Sequence, residues 1–348
     1  MPNLKDIKSR IGSVQNTKKI TKAMKMVAAA KVKRAEYTVK AARPFSDELF
    51  SLFKKMLATV GDLSVVGLKV ERGLDNYPAL LTRRSVDCEG LLVITSNKGL
   101  AGAYNANIIK TTLKRIKDNT EKGIKTVVYP VGQKAISAFR HKTGNFEVRE
   151  GYISIANEPT ATGANLIAED IANDYVSGKI DKIDIITTHF NNMMSYNIVD
   201  WEILPVEIEK AESHELDPVM EFEPSASAVL QQIVPMYITN AIYQALLEAN
   251  ASELASRMTA MSAASNNAEE MITTLTIDYN KARQAAITQE LVEIVLPKIS
   301  STSKAPPTIS AKCDKHSRRS CETKSPERFI SNPSCTRWMD SKARTKAS

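Results

Sequence analysis

Hydrophobic side chains recur at helical spacing over both ends of the chain, whereas short apolar runs separated by turns occupy its middle. Near the start, steps of three, four and three residues separate the apolar positions Leu4, Ile7, Ile11 and Val14. This spacing is typical of the seam between two helices of a coiled coil. After a polar interruption the stripe resumes, out of phase with a strict heptad, at Ile20, Met24 and Val27. We therefore predict an N-terminal helix over residues 1–60, with Pro44 as a candidate kink.

A second helical pattern covers residues 224–296, where bulky aliphatic side chains give way to Ala, Ser and Met. Small side chains let a partner helix approach closely, so the two terminal helices are expected to pair with each other. Two interpretations stay open for Met258, Met261 and Met271. They fill the seam between helices, or they form a low-friction surface, because Met is adaptable and makes no directional bond.

Between these helices, residues 73–210 alternate apolar strands with helical stretches. The clearest strands are CEGLLVITS, IKTVVYPVG and KIDIITTHF. Such alternation predicts a mostly parallel sheet with helices on both faces. The expected fold class is a Rossmann-like α/β insert in a discontinuous helical shaft that the N- and C-terminal helices form.

The loop after the first strand, SNKGLAGAYN, lies where phosphate-binding loops occur. It matches neither glycine-rich phosphate motif, and no acidic residue ends the second strand to hold a ribose, which favours a tight structural turn over a nucleotide site. The four histidines have neither the spacing of metal ligands nor the pattern of a catalytic triad. They are His141, His189, His214 and His316. We therefore expect no catalytic residue, no metal, no cofactor and no small-molecule substrate.

Charge is distributed unevenly along the 348 residues, whose formal net charge is +8. Residues 297–348 carry twelve Lys or Arg against four Asp or Glu, so the preceding 296 residues are neutral as a whole. Residues 1–43 nevertheless carry twelve basic side chains against Asp6 and Glu36 alone. A basic helix favours an acidic partner surface, phosphates or anionic lipid. A nucleic-acid-binding helical protein is therefore an alternative, although no aromatic side chains interleave with the basic ones.

The segment 297–348 differs from the rest of the chain, with eleven Ser, five Pro and three of the four cysteines. This composition predicts a disordered basic tail, and its cysteine spacing matches no zinc or disulfide framework. Three origins stay open for the tail: a frameshift, a lineage-specific extension, or a regulatory segment. No run of about 18 apolar residues suggests a membrane span, and the basic N-terminus is unlike a signal peptide.

The last helical turns present an apolar stripe with polar edges. At 100° per residue, Ile287, Leu291 and Ile294 fall on one face. Polar side chains flank this stripe in two pairs, Arg283 with Glu290 and Gln284 with Thr288. Such a tip can rest inside a ring of partner side chains and exchange hydrogen bonds with them, or it can be an ordinary solvated helix face.

Four segments have a recognisable order: IGSVQNTKKITKAMKMVAAAKVKRA, SNKGLAGAYN, ASELASRMTAMSAASNNAEEMI and YNKARQAAITQELVEI. They resemble the gamma subunit of F-type ATP synthases, over residues 1 to about 295. The resemblance implies an antiparallel coiled coil whose C-terminal end enters the hexameric catalytic head. It implies a rotor without an active site of its own, which couples proton flow to ATP synthesis with alpha, beta, epsilon and c-ring subunits as partners.

The resemblance also implies roles for individual residues. Contacts with beta subunits are expected at Met24, Arg257, Arg283, Gln284, Thr288 and Glu290. Positions near the c ring and epsilon are expected for Lys31, Lys33, Arg34, Glu221 and Phe222. The stretch 207–222 has no cysteine, unlike the regulatory insert of chloroplast members, so thiol control is not expected. Without that insert or a transit peptide, we expect a peripheral protein on the cytoplasmic face of a bacterial plasma membrane.

Overall fold

The computed structural model describes residues 4–60, 77–81, 83–140, 144, 146–205, 223 and 226–295. The described residues up to Val292 belong to one compact unit. The described helices are α1 (Leu4–Val60), α2 (Tyr77–Leu81), α3 (Tyr104–Glu121), α4 (Gln133–Phe139), α5 (Ala161–Val176) and α6 (Ala226–Val295). The described strands are β1 (Cys88–Ile94), β2 (Lys125–Val131), β3 (Phe146–Val148), β4 (Lys182–Asn192) and β5 (Ser195–Leu204).

The two long helices contact each other at several levels. Lys18 pairs with Glu269 at 3.0 Å, and the Asn240 side-chain amide donates to the Ser46 hydroxyl at 2.9 Å. Residue numbers rise along α1 as they fall along α6, so the helices run antiparallel where they meet. Both helices continue through an internal proline, Pro44 in α1 and Pro235 in α6.

The seam of α1 differs from the predicted stripe at two positions. Ile20 is 60% exposed and Val27 is 57% exposed, so neither belongs to the seam. Ala28 and Val32 are buried instead, at 2% and 0% exposure. At 100° per residue these two positions continue the face that Leu4 to Val14 begin. Position around the helix, rather than hydrophobicity, therefore decides which of these residues are buried.

The sheet has the strand order β3-β2-β1-β4-β5. The first four strands are parallel, as predicted, and β5 returns antiparallel to β4. The Asn192 side chain accepts hydrogen bonds from the backbone amides of Met194 and Ser195, which closes the turn between them. A connection this short can join only antiparallel strands, which explains the departure from a fully parallel sheet.

Two hydrophobic clusters cover the faces of the sheet, so the prediction of helices on both faces is confirmed. One cluster joins the sheet to α5 and to both long helices, through side chains that include Phe53, Met56, Ile167, Ile171, Leu230 and Ile238. The other joins it to α3 and α4, through Tyr104, Ile108, Ile116 and Phe139. The short helix α2, which the sequence did not predict, adds the buried Leu80 and Leu81 to the first cluster.

A charged network crosses the beginning of β1 and β4. Arg115 donates to Glu89 at 2.8 Å and to Asp184 at 2.7 Å, and Lys182 donates to Asp184 at 2.9 Å. Glu89 and Asp184 are 2% and 4% exposed. Burial, reinforced by the hydrogen-bonded neighbour Glu89, raises the pKa of the Asp184 carboxyl to about 6. Burial therefore makes the ionised Asp184 carboxylate less favourable than it is in water, despite the two cations that contact it.

Candidate interaction surface on the two long helices

The loop between β1 and α3 uses its polar groups inside the protein. The Asn97 side chain donates to the Ile153 carbonyl at 2.6 Å and accepts from the Gln133 amide at 2.8 Å. The Ser96 hydroxyl donates to the Lys98 carbonyl at 2.7 Å. These bonds commit the side chains of Ser96 and Asn97 to partners within the protein, as expected of a structural turn.

The same loop is fastened to α6. The Ser256 hydroxyl donates to the Ala101 carbonyl at 2.7 Å, and the Arg257 guanidinium reaches the Gly99 carbonyl at 3.4 Å. Gly102 has a φ of 57° and packs against Ser256 and Ala260. Leu100, in the left-handed region at φ 65°, remains 62% exposed. The loop thus brings an exposed apolar side chain to the flank of α6.

A cleft of about 370 Å³ lies beside this loop. Its lining includes Lys31 and Arg34 from α1, Lys98 from the loop, and Glu253 and Arg257 from α6. Glu253 forms an ion pair with Arg257, but burial raises the pKa of its carboxyl above the ordinary value. Four basic side chains and two acidic ones, Glu158 and Glu253, line the cleft. Lys31 and Arg34 lie in the same cleft as Arg257, although the resemblance assigned them to a different partner.

The adjoining part of α1 combines apolar and basic exposed groups. Ile20 and Val27 are exposed, and Met26 is 58% exposed. A groove beside Met26 is lined by Lys18, Lys22, Lys25, Met26, Ala29, Ser265, Asn266 and Glu269. Met24 lies at intermediate burial on the seam side of α1. Met26 therefore adds one exposed apolar side chain to a groove that three lysines line.

The far part of α6 is exposed. Arg283, Gln284, Thr288 and Glu290, the four predicted tip residues, are all exposed. The Thr288 hydroxyl donates to the Gln284 carbonyl at 2.9 Å, so it is partly used by the helix itself. Ile287 and Leu291 between them are 43% and 55% exposed. The predicted apolar stripe with polar edges is therefore open to a partner.

The methionines of α6 divide between the two interpretations. Met261 is 5% exposed and Met271 is 53% exposed. Met258 lies between these extremes. Seam filling therefore applies to Met261, whereas Met271 belongs to the open surface.

Several predicted positions lie outside the described residues or carry no contact that assigns a role. Glu221 and Phe222 are outside them, as are residues 297–348. Lys33 is exposed on α1. Conversely, sequence reasoning missed Glu248, which is 4% exposed and pairs with Arg43 of α1. A lone Glu in the apolar run AIYQALLEANA was the available signal.

A family model described as ATP synthase matches residues 3–296. The ATP synthase gamma chain of Synechococcus sp. (strain JA-3-3Ab) is 38% identical, over 85% of this chain and 98% of that protein. The gamma chain of a Picosynechococcus species is 40% identical over the same shares. This chain belongs to the ATP synthase gamma chain family. Residues 297–348 lie beyond the matched range of the family model.

Solved structures agree with the gamma-chain assignment. The central stalk of the Tetrahymena thermophila mitochondrial ATP synthase is 26% identical, with a TM-score of 0.51 over 71% of this chain and 99% of that one. A chain of the Euglena gracilis mitochondrial ATP synthase, 17% identical, has a TM-score of 0.56 and shares the fold. The common architecture is an N-terminal helix, a central mixed sheet and a C-terminal helix.

Membrane-crossing helices and metal clusters are not found in the described part of this gamma chain. Its helices contain no stretch with the length and apolar character that a membrane crossing needs. No three His, Cys, Asp or Glu side chains in the described ranges are grouped to hold a metal ion. The relatives named above are ATP synthase subunits, so the nucleic-acid-binding alternative gains nothing from them.

Proposed function

We propose that this gamma chain is the central-stalk rotor of an F-type proton-translocating ATP synthase. It turns inside the head of alpha and beta subunits and couples proton flow through the c ring to ATP synthesis at the beta-subunit sites. The observation that carries the proposal is the similarity to gamma chains over 98% of their length. The two long paired helices suit a shaft.

The two long helices form an antiparallel coiled coil in this proposal, with the far end of α6 inside the head. Support comes from the pairing of Lys18 with Glu269 and of Ser46 with Asn240, which are successive levels of one antiparallel seam. Small side chains near the seam, such as Ala28 and Ala268, allow the helices to approach closely. A slender coil of this kind can turn inside a narrow ring of subunits.

A rotor must leave each stator position as readily as it enters the next. Breaking a buried ion pair costs about 3 to 5 kcal/mol, whereas exposed pairs contribute about 0 to 1 kcal/mol and can be exchanged. Arg283, Gln284, Thr288 and Glu290 are exposed, which suits exchangeable contacts with loops of the beta subunits. Ile287 and Leu291 would give the same tip an apolar, non-directional bearing surface.

The basic cleft beside Arg257 would meet acidic levers of the beta subunits. Because Lys31 and Arg34 line that cleft too, one acidic partner could engage all three cations. The contact of Met24 with the levers stays a prediction from the resemblance. So does the placement near the c ring and epsilon of Lys31, Lys33, Arg34, Glu221 and Phe222.

The chain itself would hold no active site, because catalysis belongs to the beta subunits in this scheme. It would lie at the membrane surface as a peripheral subunit, on the cytoplasmic face of a bacterial plasma membrane. Its domains would be the shaft helices at 1–60 and 224–296, the α/β domain at 73–210, and a basic tail at 297–348. The tail has no assigned role in coupling.

Reconstitution tests the proposal. The chain is produced with alpha, beta, epsilon and the membrane sector, and the complex is placed in proteoliposomes. We expect the chain to co-purify with alpha and beta and to be required for ATP-driven proton pumping. A complex that pumps equally well without the chain, or a chain that binds duplex DNA in preference to alpha and beta, would overturn the proposal.

A further inference from the structure

We propose that Glu248, Arg43 and the backbone of Phe190 form a polar clamp that carries torque between the α/β domain and the two long helices. The inference rests on the rotor function proposed above and adds to it the residues that transmit the load. The clamp consists of these three residues.

The clamp joins three elements at one point. The Arg43 guanidinium, on α1, donates through Nε to Glu248 Oε1 at 3.2 Å and through Nη2 to the Phe190 carbonyl at 2.7 Å. Glu248, on α6, accepts from the Phe190 amide at 3.4 Å through Oε2. Arg43 therefore bridges the Glu248 side chain of α6 and the Phe190 backbone of β4. Glu248 in turn contacts both Arg43 and Phe190.

Neighbouring side chains complete the coordination of Glu248. His189 Nδ1 lies 2.5 Å from Oε2, and the Gln244 amide donates to Oε1 at 2.9 Å. The Glu248 side chain is 5% exposed, whereas that of Arg43 is 32% exposed. A buried carboxylate with several donors is held in one geometry, because each donor it loses would cost desolvation without compensation.

An apolar wedge surrounds the polar bonds. Phe190, at the end of β4, is 2% exposed and belongs to a cluster with side chains of both long helices. The buried members of that cluster are Val32, Val39, Leu247, Ala251, Leu254 and Ala255. The last residues of β4 thus insert against α1 and α6 at the level of the clamp.

Directionality is what distinguishes the clamp from the apolar contacts around it. Hydrophobic burial opposes separation of the domain from the helices, but it is non-directional and permits small rotations. Bonds between the planar Arg fork and two fixed acceptors hold an angle as well as a distance. A domain that is turned from outside would therefore load the clamp before the helices follow.

Two other polar contacts join α6 to the α/β domain and do not include a residue of α1. The Tyr104 hydroxyl donates to the Ala249 carbonyl at 3.1 Å, and the Ser256 hydroxyl donates to the β1–α3 loop. They fix α6 to the domain, and the clamp fixes α1 to both.

The test uses the complete enzyme in proteoliposomes and, for single molecules, with the catalytic head immobilised. The decisive variant is Arg43→Lys, which keeps the charge beside Glu248 but lacks the fork that reaches Glu248 and Phe190 together. The double variant Arg43→Met/Glu248→Met removes the clamp without leaving a buried charge. Lys40→Met is the matched control, because Lys40 pairs with Glu36 of the same helix at an exposed position.

The readouts are the angular fluctuation of a probe on the α/β domain while the rotor is stalled, and the protons pumped per ATP hydrolysed. We expect Arg43→Lys and the double variant to assemble, to broaden the angular distribution and to lose pumping relative to hydrolysis, with Lys40→Met unchanged. A wild-type angular distribution and wild-type pumping in Arg43→Lys would overturn the clamp and reduce Arg43 to a neutralising cation. Absence of pumping in the wild-type complex would instead overturn the rotor function.

Discussion

Glu248 and Glu290 lie on the same helix and have opposite surroundings. Glu248 is 4% exposed and bonded from α1, β4 and α6, whereas Glu290 is exposed. The difference divides α6 into a part that is held firmly against the α/β domain and a part that is left open. A subunit that transmits force needs both, because the held part must not yield and the open part must release its partners repeatedly.

The largest expected effect comes from breaking the held part. Arg43→Met should lower the free energy of unfolding of the purified subunit by about 3 kcal/mol, because the buried Glu248 carboxylate would lose its Arg43 donor and keep only its weaker partners. Chemical denaturation measures the loss. The double variant with Glu248→Met should recover most of it, and a single variant as stable as wild type would contradict the buried-pair interpretation.

Replacing one methionine by alanine in each part of α6 compares the stability that the two parts contribute. Met261→Ala should cost about 2 kcal/mol of unfolding free energy, since it leaves a cavity in the seam. Met271→Ala should cost less than about 0.5 kcal/mol, because that side chain is 53% exposed. Thermal and chemical unfolding of the two variants supply the comparison, and equal losses would refute the division of α6.

Acidity should sharpen the comparison, because a buried carboxyl whose pKa changes on folding makes stability depend on pH. Burial and the neighbouring Glu89 raise the pKa of Asp184 to about 6 in the folded protein. The folded state then binds a proton more tightly than the unfolded state does, so stability is fullest below the unfolded pKa and falls as pH rises toward 6.

We expect the Asp184 carboxyl to lower the unfolding free energy by about 2 kcal/mol between pH 4 and pH 7. Asp184→Asn should remove that part of the slope, which denaturation curves at several pH values would reveal. Glu290→Gln serves as the control, since Glu290 is exposed. If the dependence of the unfolding free energy on pH is unchanged in Asp184→Asn, groups other than Asp184 cause it.

The smallest effect is expected at the open end. Arg283→Ala combined with Gln284→Ala should slow turnover of the assembled enzyme about fivefold, equivalent to about 1 kcal/mol of exchangeable contact. The isolated subunit should unfold as wild type does, because both side chains are exposed. Unchanged turnover in the assembled enzyme would count against the tip contacts.

The sequence predicted the elements of this fold well because their signals are local. Short apolar runs gave the strands, and β1 was predicted as a buried strand from CEGLLVITS alone. The exposed stripe of Ile287 and Leu291 also followed from helical spacing. The functional interpretation of that stripe required the resemblance, since a solvated face has the same pattern.

What the sequence did not predict depends on contacts between distant segments. The seam in the middle of α1 follows Ala28 and Val32 rather than Ile20 and Val27, because the geometry of the helix pair outweighs side-chain size. The pairing of Arg43 with Glu248 spans 205 positions, and no local pattern joins them. The shared cleft of Arg34 and Arg257 arises in the same way.

If this gamma chain turns as a rotor, its rotation can be observed directly. The complex with alpha and beta subunits is immobilised through its head, and a probe is attached to the α/β domain of the chain. We predict unidirectional, stepwise rotation of the probe while ATP is hydrolysed. Hydrolysis at the normal rate with a stationary probe, in a complex shown to contain the chain, would contradict the account.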